Sequence, residues 1–372
     1  MGAGRARRSR SRAPENAPAV DRVLTVRELN RALIARQLLL RRARLGVPRA
    51  IERLGALQAQ WPPSPYVALW SRLDGFRREQ LMRAAESRRA VKATLMRTTL
   101  HLVSADDYLA YAGVFLRRRI AQIEAQLAKH SFDEDADEVA RQLAVHVDEP
   151  RSRPELLDLL GRPRLVVDDR MPWLVWHLLT AKAGLVHAPS SVVWRKHTSG
   201  GKHVSGASWL GRPPADGPAA AARLLTRYLA AFGPASRSDA AQWTGLPVSE
   251  LEGALGSLTL RTFRDEQGRR LLDVPRAPLP DPTTEAPPRF LPMWESALLA
   301  HADRARILCE DYRKLVIRNN GDVQPTFLVD GFVAGTWSLE DDRVVLAPFA
   351  PLRRDVRRAL EAEGRALARF HA

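Results

Sequence analysis

Apolar positions first settle into a helical period after residue 25, where Thr25 and Glu28 stand three apart as a capping box. The spacing predicts a helix over 25–42, a break at Gly46, and a second helix over 48–59 with Pro48 in its first turn. A third helix is predicted over Arg78–Glu86. The period then shortens: "VKATLMRTTLHLV", residues 91–103, is rich in β-branched residues and reads as strand. On one continuous strand Leu100 and Leu102 share a face, and Arg97, Thr99 and His101 share the other. Helices followed by strand is the order of a winged helix.

The order recurs twice. Segments 151–162 and 172–186 read as helices. They are followed by strand-like "LVHAPSSVVW", a Gly/Ser/Lys loop and "VSGASWL". Next comes an amphipathic helix over 220–233, then helix, Gly-Leu-Pro turn and helix over 236–258, with Ser238 and Ser249 as expected caps. A strand, polar turn and strand over 258–274 complete a helix-turn-helix with a β-hairpin wing. A Pro-rich linker over 275–292 closes this part. Beyond it "YRKLVIR", "VQPTFLV", "FVAGTW" and "RVVLAPF" alternate with Asn-Gly and Asp-Gly turns and predict a small barrel-like meander. An Arg-rich helix over 351–370 follows, with Val356, Leu360, Leu367 and Phe370 facing inward. The expected class is α+β: a tail over 1–20, winged-helix units over 21–105, 106–215 and 216–280, and a C-terminal β domain with a terminal helix over 281–372.

Charge sharpens this picture. The 372 residues carry a formal net charge of +16, which suits a polyanionic partner. Only five of the arginines lie in the tail, which has little to bury and reads as disordered. The body is therefore basic in its own right. Cys309 is the single cysteine, so a reducing, cytoplasmic setting is expected and Cys309 reads as a small buried apolar residue. No apolar run has the length of a membrane span, and the basic N-terminus lacks the apolar stretch of a secretory signal. An acidic run over 133–138 reads as a solvated face.

The stretch "LQAQWPP" holds two carboxamides, Gln58 and Gln60, two residues apart. On a helix such positions diverge by about 200°. Pro62 and Pro63 bias the residues before them away from helix, so the second helix is expected to end near Gln60 and let the amides converge. A second reading stays open: Ile51, Leu54 and Gln58 fall on one helical stripe, which would make Gln58 a buried amide satisfied by backbone.

The combination of "LGALQAQWPPSPYVALWSRL", "LMRTTLHLVSADDYLAYAG", "YLAAFGPASRSDAAQWTGL", "LLAHADRARIL" and "VDGFVAGTW" resembles the winged-helix AlkZ/YcaQ-type DNA glycosylases. The likeness runs from about Arg27 to the end. It implies tandem winged helices, a C-terminal β-barrel domain and excision of N7-alkylated purines, with unhooking of interstrand crosslinks in some members. It also implies that catalysis lies in a Gln–apolar–Gln motif, here Gln58-Ala59-Gln60. The branch with Gln–x–Asp is not matched, since position 60 carries no carboxylate. A glutamine orients water but cannot carry a proton away. An N7-alkylpurine leaves without protonation, so holding the water is the main task.

Further candidates follow from type and place. Arg72 and Arg97 suit phosphate, and Thr99 and His101 would lie in the same polar row. Ion pairing for Arg72 and a structural hydrogen bond for His101 fit equally well. Trp61 and Tyr66 could stack on a base, or belong to the core. Lys196 and Lys202 sit in the expected second wing. His197 and His203, six apart without cysteines, do not make a metal site, so neither metal nor cofactor is expected. The partner implied is alkylated double-stranded DNA, bound by a monomer in the cytoplasm at the nucleoid. The competing class is a non-enzymatic regulator, which would dimerise on palindromic sites.

Overall fold

The structure, a computed structural model, describes residues 22–128, 135–161, 172–194, 201–215 and 217–372. It is mixed α+β, and the elements that carry the site come early. Strand β1 (Val23–Leu24) leads into helix α1 (Val26–Arg36), whose capping box forms as the spacing predicts: Glu28 N donates to Thr25 Oγ1 at 3.2 Å and Thr25 N to Glu28 Oε2 at 2.8 Å. The helix stops short of residue 42 because Leu38 turns left-handed at φ +57° while Leu39 N reaches back to Ile34 O at 2.8 Å. Helix α2 (Val47–Leu54) ends at Gly55, φ +82°, where a Cβ would press on Phe232 and Ala231 at 3.2 and 3.3 Å. The expected helix over the glutamines is therefore corrected. Leu57–Gln58 form strand β2 instead, and Pro63 stands as the N-cap of helix α3 (Ser64–Arg72), with Pro65 in its first turn.

Helix α4 (Arg78–Glu86) stands where predicted. The single strand expected over 91–103 is a hairpin: β3 (Ala90–Thr94) and β4 (Leu100–Ser104) pair antiparallel across a tight turn at Met96–Thr98, with Arg97 at φ +51° and Thr98 at φ +57°. Helix α5 (Ala105–Leu127) follows, capped by Ser104. Then come α6 (Ala136–Val145), α7 (Arg153–Leu159) and α8 (Pro172–Lys182). Of the acidic run, Asp135 caps α6 through the Asp137 and Glu138 amides; Asp133 and Glu134 lie outside the described residues. Strands β5 (Leu185–His187) and β6 (His203–Ser205) pair, and β5 also pairs with β3. One five-stranded sheet, β2-β4-β3-β5-β6, thus joins residues 57–104 to 185–205.

Helix α9 (Gly206–Leu210) precedes α10 (Pro218–Phe232), α11 (Arg237–Thr244) and α12 (Val248–Gly256). Ser236, not Ser238, caps α11, in a capping box with Asp239, and Pro247 rather than Ser249 stands before α12. The two hairpin strands, β7 (Arg261–Asp265) and β8 (Arg270–Asp273), take β1 as a parallel neighbour of β7. The largest core gathers α1, α5, α10, α11 and α12 around Tyr228, Phe232 and Trp243.

The C-terminal part has strand β9 (Arg289–Leu291), short helices α13 (Ser296–Leu299) and α14 (Arg313–Val316), strands β10 (Thr326–Val329), β11 (Phe332–Glu340) and β12 (Arg343–Pro348), and helix α15 (Arg354–His371). "YRKLVIR" is thus largely helical, and the sheet is not a barrel. Its order is β12-β11-β10-β9, with the outer strands unpaired to each other. Leu360 and Leu367 of α15 pack with Phe290, Phe327 and Trp337, so a helix covers the apolar face that closure would otherwise enclose. Cys309 is exposed, contrary to expectation. Among the described residues no helix is long and apolar enough to cross a membrane.

Candidate active site and DNA-facing residues

Strand β2 pairs antiparallel with β4, Leu57 opposite Leu102 and Gln58 opposite His101, and Ala59 N continues the ladder to Leu100 O at 2.7 Å. Extended backbone has a period of two, so side chains i and i+2 share a face. This is why the amides meet: Gln58 Nε2 donates to Gln60 Oε1. The prolines do not cause the convergence. Gln58 is buried at 6% exposure and Gln60 is exposed, so the pair runs from the interior to the surface.

Gln58 Oε1 accepts from Arg97 Nη2 at 3.3 Å, and Arg97 Nη1 donates to the carbonyl of Trp243. The Arg97 guanidinium is thus turned inward, which corrects its placement on an outward strand row. Burial, helped by the charge of Arg304, lowers its pKa to about 10, which leaves it cationic at neutral pH. His101 is also corrected. It is buried at 2% exposure, and its Nδ1 lies 3.0 Å from Thr99 O, which makes Nδ1 the protonated nitrogen. Burial and then the neighbouring Arg97 charge lower its pKa to about 3. A neutral, enclosed imidazole offers nothing to a phosphate. Thr99 is half-buried, with Oγ1 donating to Met96 O at 3.1 Å.

Gln60 and Thr99 line a cavity of about 390 Å³ together with Thr98, Arg119, Trp176, His177, His187 and His203. Among the described residues its lining contains no Asp or Glu. The three histidines are neutral. Burial lowers His177 and His203 to about 4 and His187 well below its ordinary value, with neighbouring positive groups adding to each. The rings of His187 and His203 lie tilted to each other with centroids 4.7 Å apart, and among the described residues neither Nδ1 has a hydrogen-bond partner. Of the three histidines sequence reasoning singled out only His203. His177 comes from α8 and His187 from β5, beside Arg119 of α5, and no local spacing unites them.

The remaining candidates divide. Arg72 is fully buried on α3, ion-paired with Glu295 at 2.8 Å and donating to Ala68 O at 3.1 Å, so it cannot reach phosphate. Tyr66 is fully buried, its hydroxyl on Val192 O at 3.0 Å and its ring edge-on to Trp194, and is unavailable for stacking. Trp61, adjacent to Gln60, is 40% exposed and lines an apolar hollow of about 620 Å³ with Val67, Met293 and Trp337. Lys202 is exposed before β6, while Lys196 and His197 lie outside the described residues. Among the described residues no group of three or more His, Cys, Asp or Glu could hold a metal ion.

Residues 51–370, beginning just before the glutamine strand and ending in α15, match the family model of AlkZ-like DNA glycosylases. The chain belongs to the AlkZ-like DNA glycosylase family. A curated relative, the interstrand DNA cross-link repair glycosylase of Streptomyces sahachiroi, is 27% identical over 320 residues, covering 78% of this chain and 82% of the relative. The solved structure of the Streptomyces sahachiroi DNA glycosylase AlkZ shares the fold with a TM-score of 0.77 at 21% identity, covering 94% of this chain and 97% of that one.

Proposed function

We propose that this glycosylase hydrolyses the N-glycosidic bond of cationic N7-alkylated purines in duplex DNA, with a water held by Gln58 and Gln60. The observation that carries the reading is the bonded carboxamide pair, whose outer member, Gln60, lines a cavity with no carboxylate among its described residues. Neither amide can protonate a departing base or take a full proton from water at neutral pH. The arrangement therefore suits a base that already bears positive charge and leaves as a neutral molecule. What is left to the protein is to place water at the anomeric carbon as oxocarbenium character develops; the bond to the base breaks, the carbon–oxygen bond forms and the water's surplus proton passes to bulk solvent. Trp61, exposed beside Gln60, is the aromatic free to stack on a displaced or neighbouring base.

The protein works as a monomer in the cytoplasm, at the nucleoid, without metal or cofactor. Its winged-helix units lie along the duplex, and their positive charge contacts phosphate, as at Lys202. The name of the curated relative supports interstrand crosslinks as a further substrate. Unhooking such a link is the same bond cleavage at a purine tethered to the opposite strand.

The test compares one duplex containing N7-methylguanine with another containing hypoxanthine, a neutral base, each followed by alkaline cleavage of abasic sites. Release from the cationic lesion alone is expected, together with its loss in Gln60→Ala. Equal release from both duplexes, or an undiminished Gln60→Ala, would overturn the reading.

A further inference from the structure

The pair can bond in either of two senses: Gln58 may donate to Gln60, or Gln60 to Gln58, since a carboxamide flips at little cost in shape. Which sense holds decides which atoms of Gln60 face the cavity. Arg97 breaks this symmetry. A guanidinium has donors only, so the Gln58 atom 3.3 Å from Nη2 is the oxygen. Gln58 Nε2 is then left to donate to Gln60 Oε1. The amide nitrogen of Gln60 and the second lone pair of its oxygen remain for a water.

Arg97 is itself fixed from α11. Its Nη1 donates to the Trp243 carbonyl in the last turn of α11, the negative end of that helix. Its backbone sits at φ +51°. Gly245, which ends α11 at φ +75°, lies against it: a Cβ there would meet Arg97 Cγ at 3.1 Å and its Cα and N at 3.3 Å. Thus α11, far along the chain, presses the β3–β4 turn into the place where the guanidinium forks between a helix carbonyl and a site amide.

Resting on the proposed role of the glutamines, we infer that Arg97 is a positioning residue. Held by the end of α11, it sets the orientation of the Gln58 amide and through it the face that Gln60 turns to water. It does not contact DNA. Without Arg97 the pair samples both senses, and part of the time Gln60 offers the wrong atoms.

The test is single-turnover release of N7-methylguanine by wild type, Arg97→Met, Gln58→Ala, the double variant and Gln60→Ala, with folding checked by circular dichroism. Arg97→Met should slow the rate at saturating protein on the order of tenfold and leave the half-saturating concentration within about twofold. In the Gln58→Ala background the same substitution should change nothing, because the group it orients is gone. Gly245→Ala, which leaves every polar partner in place, should reproduce the slowing, and it carries the test if Arg97→Met fails to fold. An equal loss from Arg97→Met in both backgrounds, or weaker DNA binding with an unchanged saturated rate, overturns the proposal. Slow glutamine variants beside a fast Arg97→Met and a fast Gly245→Ala overturn positioning alone. Glutamine variants as fast as wild type overturn the catalytic reading and this inference together.

Discussion

Among the described residues, two carboxamides and no carboxylate make a site with no group of its own that titrates near neutrality. The histidines around it are held neutral by burial rather than used as acids. Beside the site His101 lies at about 3 and His177 and His203 at about 4; His301, against Phe232 O, and His371, in α15, are lowered likewise, each first by desolvation. This has a sign in stability. Folded pKa values below the ordinary 6.5 mean that the unfolded chain binds more protons on acidification. The contribution is fully present above pH 6.5 and is lost as pH falls from there toward 4. The melting temperature should therefore drop between pH 7 and pH 5, and a flat or rising profile would contradict the burial assigned to these rings. Residue type alone did not reveal this. His101 read equally well as a DNA contact or a structural group, and what decides is the neighbouring strand, which encloses it.

At the scale of elements, buried ion pairs tie the site's scaffold together. Arg72 of α3 and Glu295 before α13 are exposed by 0% and 2%, and Arg36 of α1 meets Asp273 of β8 with neither side chain exposed. Removing one partner leaves a buried charge alone, so Arg72→Ala should cost about 3–5 kcal/mol in urea unfolding. A loss under about 1 kcal/mol would show that the pair is solvated. Much of the element pattern was legible in the sequence: the Thr25 box, Arg78–Glu86, the 258–274 hairpin and the terminal helix are set by local spacing. What was not legible depended on backbone sign and tertiary pairing. Nothing local marks Arg97 and Thr98 as left-handed, yet they turn one expected strand into two. The prolines at 62 and 63 were read as ending a helix, whereas a helix begins directly after them. The barrel was expected from the turns and from the resemblance, and the cover supplied by α15 leaves the sheet open.

For the whole molecule, the glutamines are a meeting point of distant segments. β2 supplies the amides, β4 holds their backbone, the β3–β4 turn supplies Arg97, and α11 anchors that arginine from some 145 positions onward. The motif itself was readable as a pair. Its convergence was anticipated for the wrong cause, since strand geometry and not a helix end brings the amides together. The histidine-lined cavity was not readable, because its walls come from α5, α8 and β5. The central claim is that the carboxamides act as one unit on a single water. Residues that share one task lose activity together and not multiplicatively. The most direct measurement is the single-turnover rate of N7-methylguanine release by Gln58→Ala, Gln60→Ala and the double variant. Each single variant should be slower by on the order of 10²-fold, and the double variant no slower than the slower single. Losses that multiply, or single variants at the wild-type rate, would contradict it.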